Sequence, residues 1–276
     1  MSAPFFLRQG RTPLLISMPH VGSEIPAELH QHYQPRALLS EDTDWHLERL
    51  YGGLADELGA SLIVPRYSRY LIDLNRPPED TPMYPGAANT ELCPTRFFTG
   101  EPLYRPDQAP DAAEQQRRLQ HYWLPYHRAL TAEMQRMKRL YGRALLFDAH
   151  SIRSELPWLF EGRLPQLNLG TVDGRSCDAA ITATLGSLLS AQPAFSCVVN
   201  GRFKGGFITR HYGQPDAGQH AVQLEMCQCC YMHEEPAAGF REAYDEALAV
   251  QVQPLLRELL GSLLAWRPRA STSAPA

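Results

Sequence analysis

The chain of 276 residues predicts an α/β fold, a single domain with a mostly parallel or mixed central sheet flanked by helices. Three observations carry that expectation. Short apolar runs suited to buried strands recur along the chain: "PLLISM" (13–18), "ASLIVP" (60–65), "RALLFDAH" (143–150), "FSCVVN" (195–200) and "HAVQLEM" (220–226). Stretches of helical spacing alternate with them, and no internal repeat or convincing boundary divides the chain. With 44% hydrophobic and 20% charged residues, the chain can also bury a substantial core.

Each element follows from its local pattern. After the first strand, "DTDWHLERLYGGLADELG" (42–59) sets Leu47, Leu50, Tyr51, Leu54 and Leu58 at helical spacing, with Asp42 as cap and Gly59 as stop. "ASLIVP" then completes a strand–helix–strand unit of the kind found in parallel sheets. Residues 75–110 are dense in Pro and Gly and show no steady period; their aromatics favour an ordered cover over a linker. A helix over 111–141 is expected to bend near Pro125. Further helices are expected over 178–191 and 237–265, the second irregular at Pro254. "GRFKGGFITRHYG" (201–213) reads as a hairpin; lacking a Gly-Lys-Ser/Thr run, it does not read as a phosphate loop. Residues 1–266 are expected to form one catalytic domain, and the apolar-poor 267–276 a disordered tail.

Charge narrows the partners. A formal net charge of −4, with no long basic run, gives no reason to expect nucleic acid or an anionic membrane. The N-terminus lacks a signal-like apolar region and no stretch approaches the roughly 18 apolar residues that span a bilayer, so a cytoplasmic protein is expected. Six cysteines, three crowded into "MCQCCYM", read as reduced thiols; a Cys227, Cys229 or Cys230 nucleophile would have no assignable partner. A small molecule is the expected partner.

The chemistry-bearing residues cluster at strand ends. His20, in "LLISMPHVG", and His150, in "RALLFDAH", each stand where a buried strand runs out, the edge at which open parallel sheets bind ligands. Two imidazoles and one carboxylate make the ligand set of a hydrolytic zinc site with an open position. Asp44, expected in the first turn of the first helix, ranks above Asp42 and Glu24 as the third ligand, although each acid alone reads as a cap or a solvated charge. Glu225, set between Leu224 and Met226, either faces solvent on an edge strand or lies near a cation, where it can act as a general base. Arg69, Asn75, Arg76 and Arg210 can bind carboxylates, which points to an acidic substrate; any one arginine also reads as an ordinary salt-bridge partner.

"SMPHVGSEIP", "DTDWHLERLY", "SRYLIDLNRPP", "YPG", "LCP", "DAHSIRS", "NGRFKGGFITRHYG" and "HAVQLEM", in this order from about Thr12 to Leu260, resemble the N-formylglutamate deformylases of histidine degradation. The resemblance implies a zinc carboxypeptidase or amidase-like fold and hydrolysis of N-formyl-L-glutamate to formate and L-glutamate. It also implies a divalent metal, Zn²⁺ or Co²⁺, on His20, Asp44 and His150, with Glu225 as base. "DLNR" resembles the carboxylate clamp of aspartoacylase-type relatives, which sets Asn75 and Arg76 against the substrate. Carboxypeptidases take their acid a few residues after the first histidine, and Glu24 stands one step too late for that motif. Alternatives of neighbouring chemistry are another N-acyl amino acid deacylase and a non-catalytic carboxylate binder; turnover and metal content separate them.

Overall fold

A computed structural model of the protein describes residues 3–83, 89–234 and 239–268. The "YPG" motif at 84–86 lies outside the described residues, as does the expected tail from residue 269 onward.

Seven strands form one mixed sheet: β1 (Phe5–Arg8), β2 (Leu14–Ser17), β3 (Ser61–Pro65), β4 (Ala144–Ile152), β5 (Leu167–Gly170), β6 (Cys197–Val199) and β7 (Gln219–Cys227), in the order β1-β3-β2-β4-β7-β5-β6. The centre is parallel, with β2 joined to β3 and β4, and β4 to β7. β1 pairs antiparallel with β3, and β5 antiparallel with β7. The predicted mixed α/β architecture is therefore present. β2, β3 and β4 are buried at every position, which is why they read as continuous apolar runs.

Both faces of the sheet are covered. On one, α1 (Leu47–Leu58), α4 (Ala179–Ala191) and α6 (Glu246–Ala265) pack on Leu14, Ile16, Phe147 and Leu224. On the other, α3 (Leu124–Tyr141) lays Tyr126, Leu130, Met134 and Met137 on Leu15, Ile63 and Leu146. A shorter helix, Ala112–Arg118 (α2), runs into α3 through a π-helical turn over Leu119–Trp123, just before Pro125; the proline lacks the N–H a regular turn would use there.

The Pro-rich stretch is an ordered cover over its described part. Phe97, Leu103 and Tyr104 pack with Tyr33, Tyr70 and Leu71 in a third apolar cluster. Arg118, buried beneath them, donates to Leu71 O at 3.0 Å and to the Tyr104 hydroxyl at 2.9 Å.

Three local expectations are corrected. Asp42 does not cap α1, which starts at Leu47 after His46 in a left-handed conformation; the buried Asp42 carboxylate instead accepts from Tyr70 Oη, Phe98 N and Arg153 Nη2. Residues 201–213 make no hairpin, because Phe207–Tyr212 is a short helix (α5) that starts against Asn75: Ile208 N donates to Asn75 Oδ1 at 2.8 Å. The last helix starts at Glu246, where Asp245 caps it, and not near 237. Two strands were not expected: β1, whose FFLR has an exposed Phe6, and β5, whose LNLG is interrupted by Asn168.

Candidate active site

Three strands bring the site together at their carboxyl ends. His20 stands three residues beyond β2, and His150 lies in β4 directly opposite Glu225 of β7. Parallel pairing at matched register sends both side chains to the same face. β7 is an interior strand and Glu225 is buried, so the edge-strand alternative is excluded. Asp44 arrives on the loop before α1, not in the helix, and its backbone N–H donates to His20 O at 2.9 Å.

Ligand atoms of His20, Asp44 and His150 all lie within 4.8 Å of one another, and all three residues are buried. Asp44 Oδ2 is 3.3 Å from His150 Nδ1 and 3.8 Å from His20 Nδ1. Each imidazole uses its other nitrogen to bind a carboxylate: His20 Nε2–H donates to Asp73 Oδ1 at 2.7 Å, and His150 Nε2–H to Asp148 Oδ2 at 3.0 Å. A carboxylate behind each ring fixes its tautomer and aims the opposite nitrogen inward, as in metal-ligating histidines. His20 Nδ1 and Asp44 Oδ1 are buried without a hydrogen-bond partner among the described residues. Orphaned buried acceptors are costly, so this donor set fits a divalent cation of the zinc or cobalt(II) type.

The other two acids considered for the third position point elsewhere. Glu24 is exposed and paired with Arg66 at 2.7 Å, and Asp42 is committed to the three donors described above.

Burial sets the electrostatics. It lowers the pKa of His20, with Arg69 adding to the effect and Asp73 opposing it. For His150 burial also disfavours the cation, but Asp148 and Asp44 outweigh it and hold the pKa well above the ordinary value. Glu225 is pushed up to about 7 by burial, against the attraction of His150. Its Oε2 accepts from Gln223 Nε2 at 3.2 Å. A carboxyl poised near neutrality beside a cation site can accept a proton and return it.

His20, Asp73, His150, Gln223 and Glu225 line a cleft of about 640 Å³, counted to its open mouth. Arg69, Asn75 and Arg76 line it too. Arg69 is held by Asp73 at 2.7 Å and lies 3.8 Å from Asp44. Asn75 Nδ2 lies 3.0 Å from His150 Nε2 and 3.5 Å from Asp148 Oδ2; Arg76 donates from Nε and Nη2 to the Thr90 hydroxyl. Arg210 is not in the cleft. It is exposed on α5, whose buried positions are Ile208, Thr209 and Tyr212, and its Nε donates to Gly205 O. Arg202 lines the cleft in its place.

Sequence reasoning passed over Asp148 and Arg202, and read Asp73 as an ordinary salt-bridge partner of an arginine, which it is for Arg69, without its place behind His20. Asp148 carried a signal: it stands two residues before His150 in a strand, hence on the same face.

The profile of the N-formylglutamate amidohydrolase family matches residues 12–232. The chain is 52% identical over 259 residues to an N-formylglutamate deformylase of Pseudomonas aeruginosa, covering 94% of this chain and 95% of that one. It is 48% identical over 258 residues to an N-formylglutamate deformylase of Pseudomonas putida, covering 94% of each. The crystal structure of an N-formylglutamate amidohydrolase from Ralstonia eutropha JMP134 shares the fold, with a TM-score of 0.78 at 24% identity over 95% of this chain and 97% of that one.

Proposed function

The chain belongs to the N-formylglutamate amidohydrolase family, and on that premise we propose that it hydrolyses N-formyl-L-glutamate to formate and L-glutamate in a metal-dependent step of histidine degradation. The observation that supports this reading most is the buried His20–Asp44–His150 group with Glu225 opposite His150, its two histidines and Glu225 lining a cleft that Arg69, Arg76 and Arg202 also line.

His20, Asp44 and His150 would hold the metal, zinc or cobalt(II). When bound it supplies Lewis acidity, polarising a carbonyl oxygen and making water easier to deprotonate. Glu225 takes the proton from the water that attacks the formyl carbon, and gives it to the nitrogen as the C–N bond breaks. Its raised pKa suits both transfers. Asn75 and Arg76 bind carboxylate and hold the amide beside the two histidines, with Arg69, tied to Asp73, reinforcing the positive field. Residues 1–266 act as one catalytic domain in the cytoplasm, where the six cysteines stay as free thiols. Among the described residues no helix is long and apolar enough to cross a membrane.

The test is formate release from N-formyl-L-glutamate by metal-stripped protein, with and without added Zn²⁺ or Co²⁺, beside N-acetyl-L-glutamate. Formate that depends on added metal, with little acetate, is the expected result. Full activity in the stripped protein would overturn the metal assignment, and acetate without formate would make the protein an N-acetyl amino acid deacylase.

A further inference from the structure

Two arginines from separate segments line the cleft besides Arg69. Arg76 follows Asn75, whose side chain lies 3.0 Å from His150 and whose backbone oxygen and Oδ1 accept from Phe207 N and Ile208 N at the start of α5. Arg202 comes from the loop after the edge strand β6. Arg202 Nη2 lies 3.5 Å from Leu159 O, and its guanidinium carbon 5.4 Å from the centre of the Phe203 ring. Phe203 meets Phe160 edge-on at 6.4 Å, and Leu159, Phe160 and Phe203 line the cleft beside Arg202. That flank is an apolar wall ending in a guanidinium.

The proposed substrate has the same order of parts. Its formamide nitrogen and its α-carboxylate share one carbon, so the α-carboxylate must lie close to the histidines, where Asn75 touches His150 and adjoins Arg76. Its second carboxylate is two methylenes farther off. Methylenes match an apolar wall and the distal carboxylate matches a guanidinium fork. Resting on the proposed reaction, we infer that Arg202 receives the side-chain carboxylate and selects dicarboxylate substrates over neutral N-formyl amino acids, while Arg76 receives the α-carboxylate common to both.

The experiment compares kcat and KM for N-formyl-L-glutamate and N-formyl-L-glutamine in the wild-type protein and in Arg202→Gln, Arg202→Lys and Arg76→Gln. Losing a charge-assisted fork is expected to lower kcat/KM for the glutamate substrate about 10²-fold in Arg202→Gln, mainly through KM, with the glutamine substrate within about threefold of wild type. Arg202→Lys recovers part of the loss, and Arg76→Gln lowers both substrates together. Equal losses for both substrates in Arg202→Gln, or a glutamate preference abolished by Arg76→Gln and kept by Arg202→Gln, would overturn the inference. Calorimetric binding of glutarate and pentanoate decides the same point even if the wild-type protein turns over neither substrate, a result that would sink the proposed reaction alone. Glutarate weakened at least tenfold by Arg202→Gln, with pentanoate unchanged, upholds the assignment; equal weakening of both, or a wild-type protein that binds glutarate no tighter than pentanoate, refutes it.

Discussion

Asp73→Asn separates the two tasks assigned to a single buried carboxylate. Asp73 is 1% exposed and accepts from three donors: His20 Nε2 at 2.7 Å and Asn75 N at 2.8 Å on Oδ1, and Arg69 Nη2 at 2.7 Å on Oδ2. Asparagine keeps the shape but turns one acceptor into a donor and removes the charge. With Oδ1 kept toward His20 and Asn75, the new amide N–H₂ faces Arg69, which keeps the more distant Asp44, at 3.8 Å, and Asp42 as counter-charges. Breaking a buried ion pair by removing one partner costs about 3 kcal/mol or more, so urea denaturation of the metal-stripped protein should show a loss of that size. The second effect falls on His20, whose ring loses the anion that aims Nδ1 inward. Zinc affinity, measured by competition with a chromophoric chelator, should drop roughly 10- to 100-fold. Stability within about 1 kcal/mol of wild type would refute the ion-pair argument. A destabilised protein with unchanged zinc affinity would refute the claim that Asp73 orients the ligand.

Three further predictions follow from the geometry. Glu225→Gln should lower kcat roughly 10²- to 10⁴-fold with zinc content unchanged, measured by formate release and metal analysis; near-normal turnover would move the base elsewhere. Gly206→Ala would set a methyl 2.3 Å from Asn75 Nδ2 and 2.6 Å from its Cγ, while Ile208 N holds the other end of that amide, so the amide beside His150 must shift. A displacement near 1 Å predicts about a 10²-fold loss of kcat/KM, and wild-type activity would show that Asn75 does not position substrate. His127 is 5% exposed, donates from Nε2 to Leu74 O at 2.9 Å, and has its pKa lowered by burial to about 3. Its contribution to stability is complete above the unfolded pKa near 6.5 and is lost as pH falls toward 3. Between pH 7 and 4.5 His127→Gln should therefore lose about 2–3 kcal/mol less than wild type in urea denaturation, and parallel pH profiles would contradict this.

Much of the fold was legible because its signals are local. β2, β3 and β4 are buried throughout and β7 beyond its first residue, so their apolar runs announced them. α1 buries Leu47, Leu50, Tyr51 and Leu54 and ends at Gly59 in a left-handed conformation, as its spacing required. β1 was not legible because it is a short edge strand whose Phe6 stays exposed, which erases the buried pattern. Within the site, His20 and His150 could be picked out, since a strand that runs out at the ligand edge of a sheet places its last side chains there whatever the rest of the chain does.

Choosing among chemically identical neighbours was a different matter. Asp42 and Asp44 are two residues apart, yet one faces Tyr70 and Arg153 and the other His20 and His150, while Glu24 faces solvent and Arg66. Arg202 and Arg210 sit in one glycine-rich run, and only the turn into α5 puts the first in the cleft and the second outside it. Periodicity along a chain encodes which face of an element is buried. It does not encode which atoms of separate elements meet, and the Asp73 carboxylate behind His20, like the Arg202 guanidinium in the cleft, is set by the path of the loops in three dimensions.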